Sequence, residues 1–470
     1  MNTGHWISLH GLVALGALSL YLASTHTFRQ RRHPSAAIAW LLSILLLPYL
    51  ALPLYLLIGN RKFARPPQPQ PTMGSSPASA GASAEQRAFQ TLAWQMGLPP
   101  AVALGQFTLH RDGAHAYAAL LALLDGASTS IDLSTFVLAH DALGQAVCER
   151  LAAKARAGLR VRLIVDGVGR YFGGSANFRA LRGSGVQVSI FIPPFSSALP
   201  GQTNLRNHRK LVLVDGARLW TGGRNLSSFY FDRLDSKVPE SQSWIDLTFE
   251  VDGPIAAQAQ AQFECDWALA TTQKISEARG SAPAPLLSAA SQARCVQLIP
   301  SGPDQREDTV YTLLISACHR ARERILAVTP YFVPDAALAM ALSLAARRGI
   351  AVDLVLPKRS NHMLADLARM AALRDLHAVG VRIWLTHRMV HAKAIVFDEE
   401  ISLAGTANLD ERSLFLNFEL MIAFYGRHEV RAFAEWIDDL RQKARAFDAR
   451  APSLPREMLE GTVRWLAFQL

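Results

Sequence analysis

Asn207 to Asn225 read NHRKLVLVDGARLWTGGRN, and Val390 to Asn408 read VHAKAIVFDEEISLAGTAN. The two stretches share one grammar. A His is followed two residues later by Lys, then by four apolar residues, then by Asp. An Asn stands seventeen residues after each His. Side chains two apart on a strand point to one face. His208 and Lys210 therefore share a face, as do His391 and Lys393. LVLV and AIVF continue each strand into a core. Asp215-Gly216 reads as a hairpin turn, and Asp398-Glu399-Glu400 occupies the equivalent place. The returning segments bring Asn225 and Asn408 back towards their histidines, with Gly222 and Gly405 allowing close backbone approach.

The repeat is larger than these stretches. TSIDLSTFVL reads as a strand, ALGQAVCERLAAKARAG as a helix with a glycine stop, and VRLIVD as a buried strand. The order recurs in RILAVTPYFV, ALAMALSLAARRG and AVDLVLP. Strand, helix, strand implies right-handed crossovers and a mostly parallel sheet. The fold class expected is α/β: two tandem α/β domains in a pseudo-twofold repeat, at 101–275 and 298–450, joined by a linker at 276–297.

The N-terminus is different in kind. Ile7 to Ala23 holds no Asp, Glu, Lys or Arg, and Ala36 to Ile58 is a second such run. A bilayer core needs about 20 apolar residues in a helix. Residues 1–62 are therefore expected to form two transmembrane or membrane-inserted helices, a helical hairpin ahead of the repeats. MNTGHW has no Lys or Arg, unlike the basic start of a secretory signal. Arg29, Arg31 and Arg32 separate the runs, and Arg61, Lys62 and Arg65 follow the second. The positive-inside rule cannot satisfy both clusters if the second run crosses fully. Pro48 and Pro53 predict a kink or a re-entrant hairpin there. Residues 63–100, rich in Pro, Ser and Ala, read as a flexible linker. Residues 451–470 read as an amphipathic tail that either lies on a membrane or packs on the domain.

Bulk numbers agree with an anionic partner. The chain of 470 residues has net charge +10 and 50% hydrophobic residues. That balance suits nucleic acid, a phosphorylated substrate or an anionic membrane. The apolar N-terminal runs favour lipid over nucleic acid. The four cysteines (Cys148, Cys265, Cys295 and Cys318) form no CxxC and read as packed apolar residues.

Two copies of the sentence, brought together, give two imidazoles, two ammoniums and two carboxamides around one point. That inventory suits a phosphodiester. One His attacks phosphorus while the other protonates the leaving oxygen. Lysines and asparagines hold the non-bridging oxygens. No metal and no cofactor is called for, because the cations are built in. Each imidazole needs an orienting partner. SWIDLTFEV supplies Asp246 and LNFELMIAF supplies Glu419, carboxylates whose burial in apolar runs is costly unless paired. Asp215 and Asp398 complete the motif and read as turn residues rather than acid-base groups. Arg206, Arg209 and Arg412 stand nearby, either on phosphate or in solvent. VDGVGRYFGG follows a strand but lacks GxGxxG spacing, and HRDGAH has no further cluster to make a metal site.

The doubled His-x-Lys-x4-Asp, at 208/210/215 and 391/393/398, resembles the signature of the phospholipase D superfamily. Within it, the chain is similar to bacterial membrane-anchored cardiolipin synthases. The likeness runs from AWLL and LYLLIGNRK through RNHRKLVLVDG, GPIAAQAQAQFECDW, SGPD and TPYFVPD to HAKAIVFD and NLDERSLFLNFE. The resemblance implies two tandem phospholipase D-like domains in a bacterial inner-membrane protein. It implies phosphatidyl transfer from one phosphatidylglycerol to another, giving cardiolipin and glycerol through a phosphohistidine. His208, Lys210, Asp215, His391, Lys393 and Asp398 are then the catalytic motif residues. By the resemblance His208 is the nucleophile and His391 the acid and then base, with the reverse assignment left open because the two motifs are nearly symmetric. Asn225 and Asn408 help hold phosphate, with Asp246 orienting His208 and Glu419 orienting His391. Partners are phosphatidylglycerol and other membrane phospholipids, not nucleic acid. Alternatives are hydrolysis by water or transfer to another alcohol such as ethanolamine; a superfamily nuclease and a non-catalytic scaffold are more distant. Gly223 and Thr406 stand where the superfamily pattern often has Ser, and no Tyr lies near Ala372.

Overall fold

Leu211–Val214 and Ala394–Phe397 are strands in which every residue is apolar and buried, and each sits inside its own sheet. The computed structural model describes residues 3–28, 34–58, 81–174, 176–193, 203–232, 243–271 and 294–465. The basic residues Arg29, Arg31, Arg32, Arg61, Lys62 and Arg65 lie outside the described residues, as do 63–80 and 276–293 of the expected linkers.

The first sheet runs Phe107–His110, Thr248–Asp252, Arg218–Gly222, Leu211–Val214, Ser130–Thr135, Arg160–Asp166, Gln187–Phe191. Only its last three strands are mutually parallel, Arg160–Asp166 pairing with both neighbours. These are the strand–helix–strand part of the repeat. The rest is antiparallel, because each motif strand returns through a short hairpin, and a short turn can join only antiparallel strands. The expected mostly parallel sheet is thus a mixed one. The second sheet repeats the pattern around Ala394–Phe397, with parallel pairing confined to Arg324–Val328, Ala351–Pro357 and Arg382–Thr386.

The two repeats share a core. Phe107 and Phe249 of the first sheet meet Phe424 of the second at ring centroid distances of 5.2 and 5.3 Å. Helices Pro254–Ala270 and Arg427–Lys443 fill the same cluster with Ile255, Phe263, Phe433 and Ile437. Arg209 crosses this junction fully buried. It bonds Asp266, Asp304 at 2.9 Å, and the carbonyls of Ser301 and Glu419, both at 3.0 Å. Arg209 is therefore neither a phosphate ligand nor a solvated cation, but an ionic pin between the repeats.

The N-terminal hairpin takes a different form from the one expected. After the helix Thr3–Phe28, the second apolar run breaks at Leu47, and helices Pro34–Leu46 and Pro48–Ile58 flank the break. Pro48 opens the later helix, where its missing N–H costs nothing. At 1.5 Å per residue, 13 and 11 residues reach about 20 and about 17 Å, short of a bilayer core of about 30 Å. Among the described residues, no helix is long and apolar enough to cross a membrane. The three helices pack around Tyr21, Trp40 and Tyr55, with Tyr55 edge-on to both other rings.

Part of the segment expected as flexible linker is helical. Ala84–Gln95 starts with a capping box, Ser83 with Gln86, and packs Phe89 and Ala93 into the core of the second repeat. Val102–Ala103 then pairs with Cys295 and Val296 at the edge of the second sheet. The described part of the C-terminal tail is the helix Leu454–Trp465, docked on Met363–Ala378. Its buried Glu460 accepts from Arg374 at 2.6 Å and Arg456 at 3.0 Å.

Candidate active site

The two motif segments approach each other through backbone pairing between the repeats. His208 N–H donates to the Phe418 carbonyl at 2.9 Å, and Phe418 N–H to the Arg206 carbonyl at 2.9 Å. On the other side, His391 N–H donates to Ile245 at 2.7 Å, and Ile245 N–H to Met389 at 2.8 Å. Each His segment thus runs parallel beside the carboxylate-bearing segment of the other repeat. Glu419 follows Phe418 and faces His208; Asp246 follows Ile245 and faces His391.

This corrects the within-repeat pairing. His208 Nδ1 lies 2.9 Å from Glu419 Oε1, and His391 Nδ1 lies 2.7 Å from Asp246 Oδ2. Both carboxylates do orient a histidine, but across the repeat junction. Two departures from the superfamily pattern fit here. Thr406 Oγ1 donates to Glu419 Oε2 at 2.5 Å. A Cβ at Gly223 would lie 2.1 Å from Asp246 Oδ1, so the missing side chain leaves room for that carboxylate.

Lys210 and Lys393 are buried beside their histidines. Lys210 Nζ donates to the His208 carbonyl at 2.8 Å. Lys393 Nζ donates to the His391 carbonyl and lies 2.8 Å from His391 Nδ1 and 3.0 Å from its Nε2. Asn225 Oδ1 accepts from Val137 N–H at 3.3 Å, and its side chain bonds Tyr230. Asn408 bonds Asp410, while its buried Oδ1 has no partner among the described residues.

Burial, helped by Lys210 and opposed by Glu419, lowers His208 to about 4. Burial and then Lys393, opposed by Asp246, lower His391 to about 3. Burial brings Lys393 down to about 8 and Lys210 well below its ordinary value. Burial alone would raise both carboxyls, but the facing histidine and lysines carry Asp246 and Glu419 net below the usual range. The directions of these shifts favour neutral imidazoles beside anionic carboxylates. In that state Nδ1–H donates to the carboxylate, leaving Nε2 as the reactive nitrogen.

Four rings that the motif did not predict wall the site. Phe136 lies 5.5 Å from His208; Tyr230, Trp244 and Tyr331 lie 4.9, 5.5 and 6.5 Å from His391. Their only sequence signal was position, at or just past the ends of strand-like runs such as TSIDLSTFVL and TPYFV.

Asp215 and Asp398 are not in the site. They stand at the far end of the motif strands, about 16 Å of strand rise from the lysines. At φ 55° and 54°, both occupy the left-handed region of a turn. Asp215 accepts from Thr129 and Ser130 N–H at 2.7 and 2.9 Å, and Asp398 from Glu323 and Arg324 N–H at 2.8 and 2.9 Å. Of the remaining arginines, Arg206 bonds the Thr203 carbonyl at 2.7 Å and Arg412 the Asn204 carbonyl at 2.9 Å. The glycine-rich 165–174 stretch is a strand-end loop whose Val168 and Gly169 N–H groups bond Asp166. Asp112 of HRDGAH caps a helix through His115 N–H at 2.8 Å. Among the described residues no cluster could hold a metal ion.

The family described as "Cardiolipin synthase, PLD-like domain" matches residues 120–267 and 314–441, one segment in each repeat and more than half the chain together. The chain belongs to the phospholipase D-like cardiolipin synthase family. A second family, "Phospholipase_D-nuclease N-terminal", matches residues 17–60. Cardiolipin synthase A of Pseudomonas fluorescens (strain SBW25) is 32% identical over 85% of this chain and 85% of the relative. Cardiolipin synthase of Geobacillus kaustophilus (strain HTA426) is 31% identical over 89% of this chain and 83% of the relative. The phosphatidylserine synthase of Haemophilus influenzae Rd KW20 shares the fold. It has a TM-score of 0.61 and 13% identity over 82% of this chain and 100% of that one. In this cardiolipin synthase family member, both matched segments contribute one half of each histidine–carboxylate pair.

Proposed function

We propose that the protein transfers a phosphatidyl group from one phosphatidylglycerol to another, giving cardiolipin and glycerol. The observation that carries the reading is the pair of histidine–carboxylate dyads exchanged between the repeats, with two buried lysines beside them. Family membership and the relatives' names supply the substrate class.

His208 is the nucleophile in this reading. Its side chain is 12% exposed against 4% for His391, and Lys393 Nζ lies against both ring nitrogens of His391, at 2.8 and 3.0 Å. His208 Nε2 attacks phosphorus, a P–N bond forms, and the P–O bond to glycerol breaks. His391 gives that oxygen its proton, having taken one up as the anionic substrate offsets Lys210 and Lys393. In the second half, His391 removes the proton from a glycerol hydroxyl of the acceptor lipid. The new P–O bond forms as P–N breaks. Lys210, Lys393, Asn225 and Asn408 hold the non-bridging oxygens throughout. Asp215 and Asp398 take no part in the chemistry.

The helices of residues 3–58 are read as inserted in the bacterial inner membrane. Leu12, Leu15, Leu46 and Leu47 present large apolar side chains 60–70% exposed, which suits lipid contact. The test is lipid analysis of membranes holding the wild type or His208→Ala, with phosphatidylglycerol as donor. Cardiolipin and released glycerol, absent from the variant, are expected. Phosphatidic acid as the sole product would make the protein a hydrolase. Equal products from both would remove His208 from the mechanism.

A further inference from the structure

The motif is symmetric, but the site around it is not. Two residues before His208 stands Arg206; two before His391 stands Met389. Four residues after Asn408 stands Arg412; four after Asn225 stands Phe229. At these repeat-related positions the arginines fall on the His208 side alone, one from each repeat.

Their placement is specific. Residues 206–208 are extended beside Phe418, so Arg206 and His208 share a face about 6.6 Å apart. The intervening Asn207 turns the other way, to Ser134 Oγ at 3.2 Å. Arg206 Nη2 donates to the Thr203 carbonyl, and Arg412 donates to the carbonyl and, at 3.1 Å, to Oδ1 of Asn204. The two guanidiniums thus flank one dipeptide. Arg206 is 4% exposed, yet its Nε is buried with no partner among the described residues. Buried guanidinium donors ordinarily find an acceptor.

The local anions do not fill that demand. Asp166 lies 3.4 Å from Arg206, but it already accepts the N–H groups of Val168, Gly169 and Asn207. Asp410 spends its carboxylate on capping the helix Glu411–Phe415 through Ser413 N–H at 2.7 Å. Burial also raises both carboxyls, Asp410 to about 6, so they are weaker anions than their number suggests.

We propose that Arg206 and Arg412 form a second anion site, which holds the acceptor lipid's own phosphate while its hydroxyl reaches the phosphohistidine at His208. This rests on the phosphatidyl-transfer reading. The motif lysines and asparagines serve the phosphate that reacts. A phosphatidylglycerol acceptor brings another, linked through a three-carbon glycerol, and that bridge is comparable in length to the spacing of Arg206 from His208. Water and simple alcohols bring none. The arginine pair therefore selects for an acceptor bearing a phosphodiester.

The experiment is a competition in one reaction. Phosphatidylglycerol vesicles are supplied with ethanol, and the ratio of cardiolipin to phosphatidylethanol is measured for wild type, Arg206→Gln, Arg412→Gln and Arg412→Lys. Only folded enzyme makes either product, so partial misfolding leaves the ratio unmoved. Loss of a charge-assisted contact should lower the ratio about 10-fold or more in each Gln variant. Arg412→Lys should lie between these and wild type. Wild type making cardiolipin, with the ratio unchanged in the Gln variants, would overturn the second site alone. Wild type making no cardiolipin would overturn both this site and the transfer reading.

Discussion

His391 and His208 both sit far below the ordinary histidine range, and the first cause for each is burial. A nucleophilic imidazole must be neutral. With His208 at about 4, that state is complete above pH 5 and is lost as pH falls through 4. The lysine cation behaves in the opposite sense. Lys393, brought down to about 8 by burial, keeps its charge below that value and loses it as pH rises. For a phosphodiester donor whose nitrophenolate leaving group needs no proton from His391, the profile of kcat/KM should therefore be flat from about pH 5 to 7.5. It should fall on the acid side near 4 and on the alkaline side near 8. An acid limb near 6.5, or no alkaline limb before 10, would show that burial does not set these groups. The His-x-Lys spacing reached the identity of the groups from sequence. It could not reach their protonation, because desolvation depends on Phe136, Tyr230, Trp244 and Tyr331, which come from distant segments.

The hairpin is the element that carries the motif, and its Asp anchors it. Asp398 is buried and accepts three consecutive backbone N–H groups, from Arg322, Glu323 and Arg324. Asp398→Ala leaves those donors without their acceptor, at a cost of about 1–3 kcal/mol. Thermal unfolding should shift down by several degrees, while kcat per folded molecule stays within about threefold of wild type. A drop in kcat as deep as that of Lys393→Ala would return Asp398 to the chemistry. Other elements show where local reading stopped. PPQPQPTMGSSPASAGASAEQR gave composition but not partner, so the helix Ala84–Gln95 was missed. Its Phe89 gains a site only when the second repeat is present. The break at Leu47, by contrast, was prefigured by Pro48.

At the scale of the molecule, neither repeat holds a complete acid-base pair. His208 is oriented by Glu419, 211 residues away, and His391 by Asp246, 145 residues away. The exchange separates the two roles experimentally. A phosphodiester with a nitrophenolate leaving group needs no proton from His391. With that donor, release of nitrophenol should fall about 100-fold or more in Glu419→Gln, which disturbs the nucleophile. Asp246→Asn, which disturbs the acid, should cost less than 10-fold. With phosphatidylglycerol both should fall steeply. The reverse order with the nitrophenyl donor would make His391 the nucleophile. Arg209 holds the same junction from inside, bonding the Glu419 carbonyl while its neighbour His208 meets the Glu419 side chain.

The sequence by itself determined the composition of the site and its duplication. Seventeen-residue spacing, the His-x-Lys face and the buried hairpin strands are local properties, written in contiguous residues. It also marked Asp246 and Glu419 as carboxylates in need of partners. Only the tertiary structure decided which histidine each one serves. That choice rests on Asn207 pairing with Phe418 and Ile245 with Val390, contacts between segments far apart in the chain. In such a pairing a shift of one residue reverses which side chains share a face. No pattern within either segment encodes that register. The packing of two sheets around one core fixes it, and with it the division of labour between two nearly identical halves.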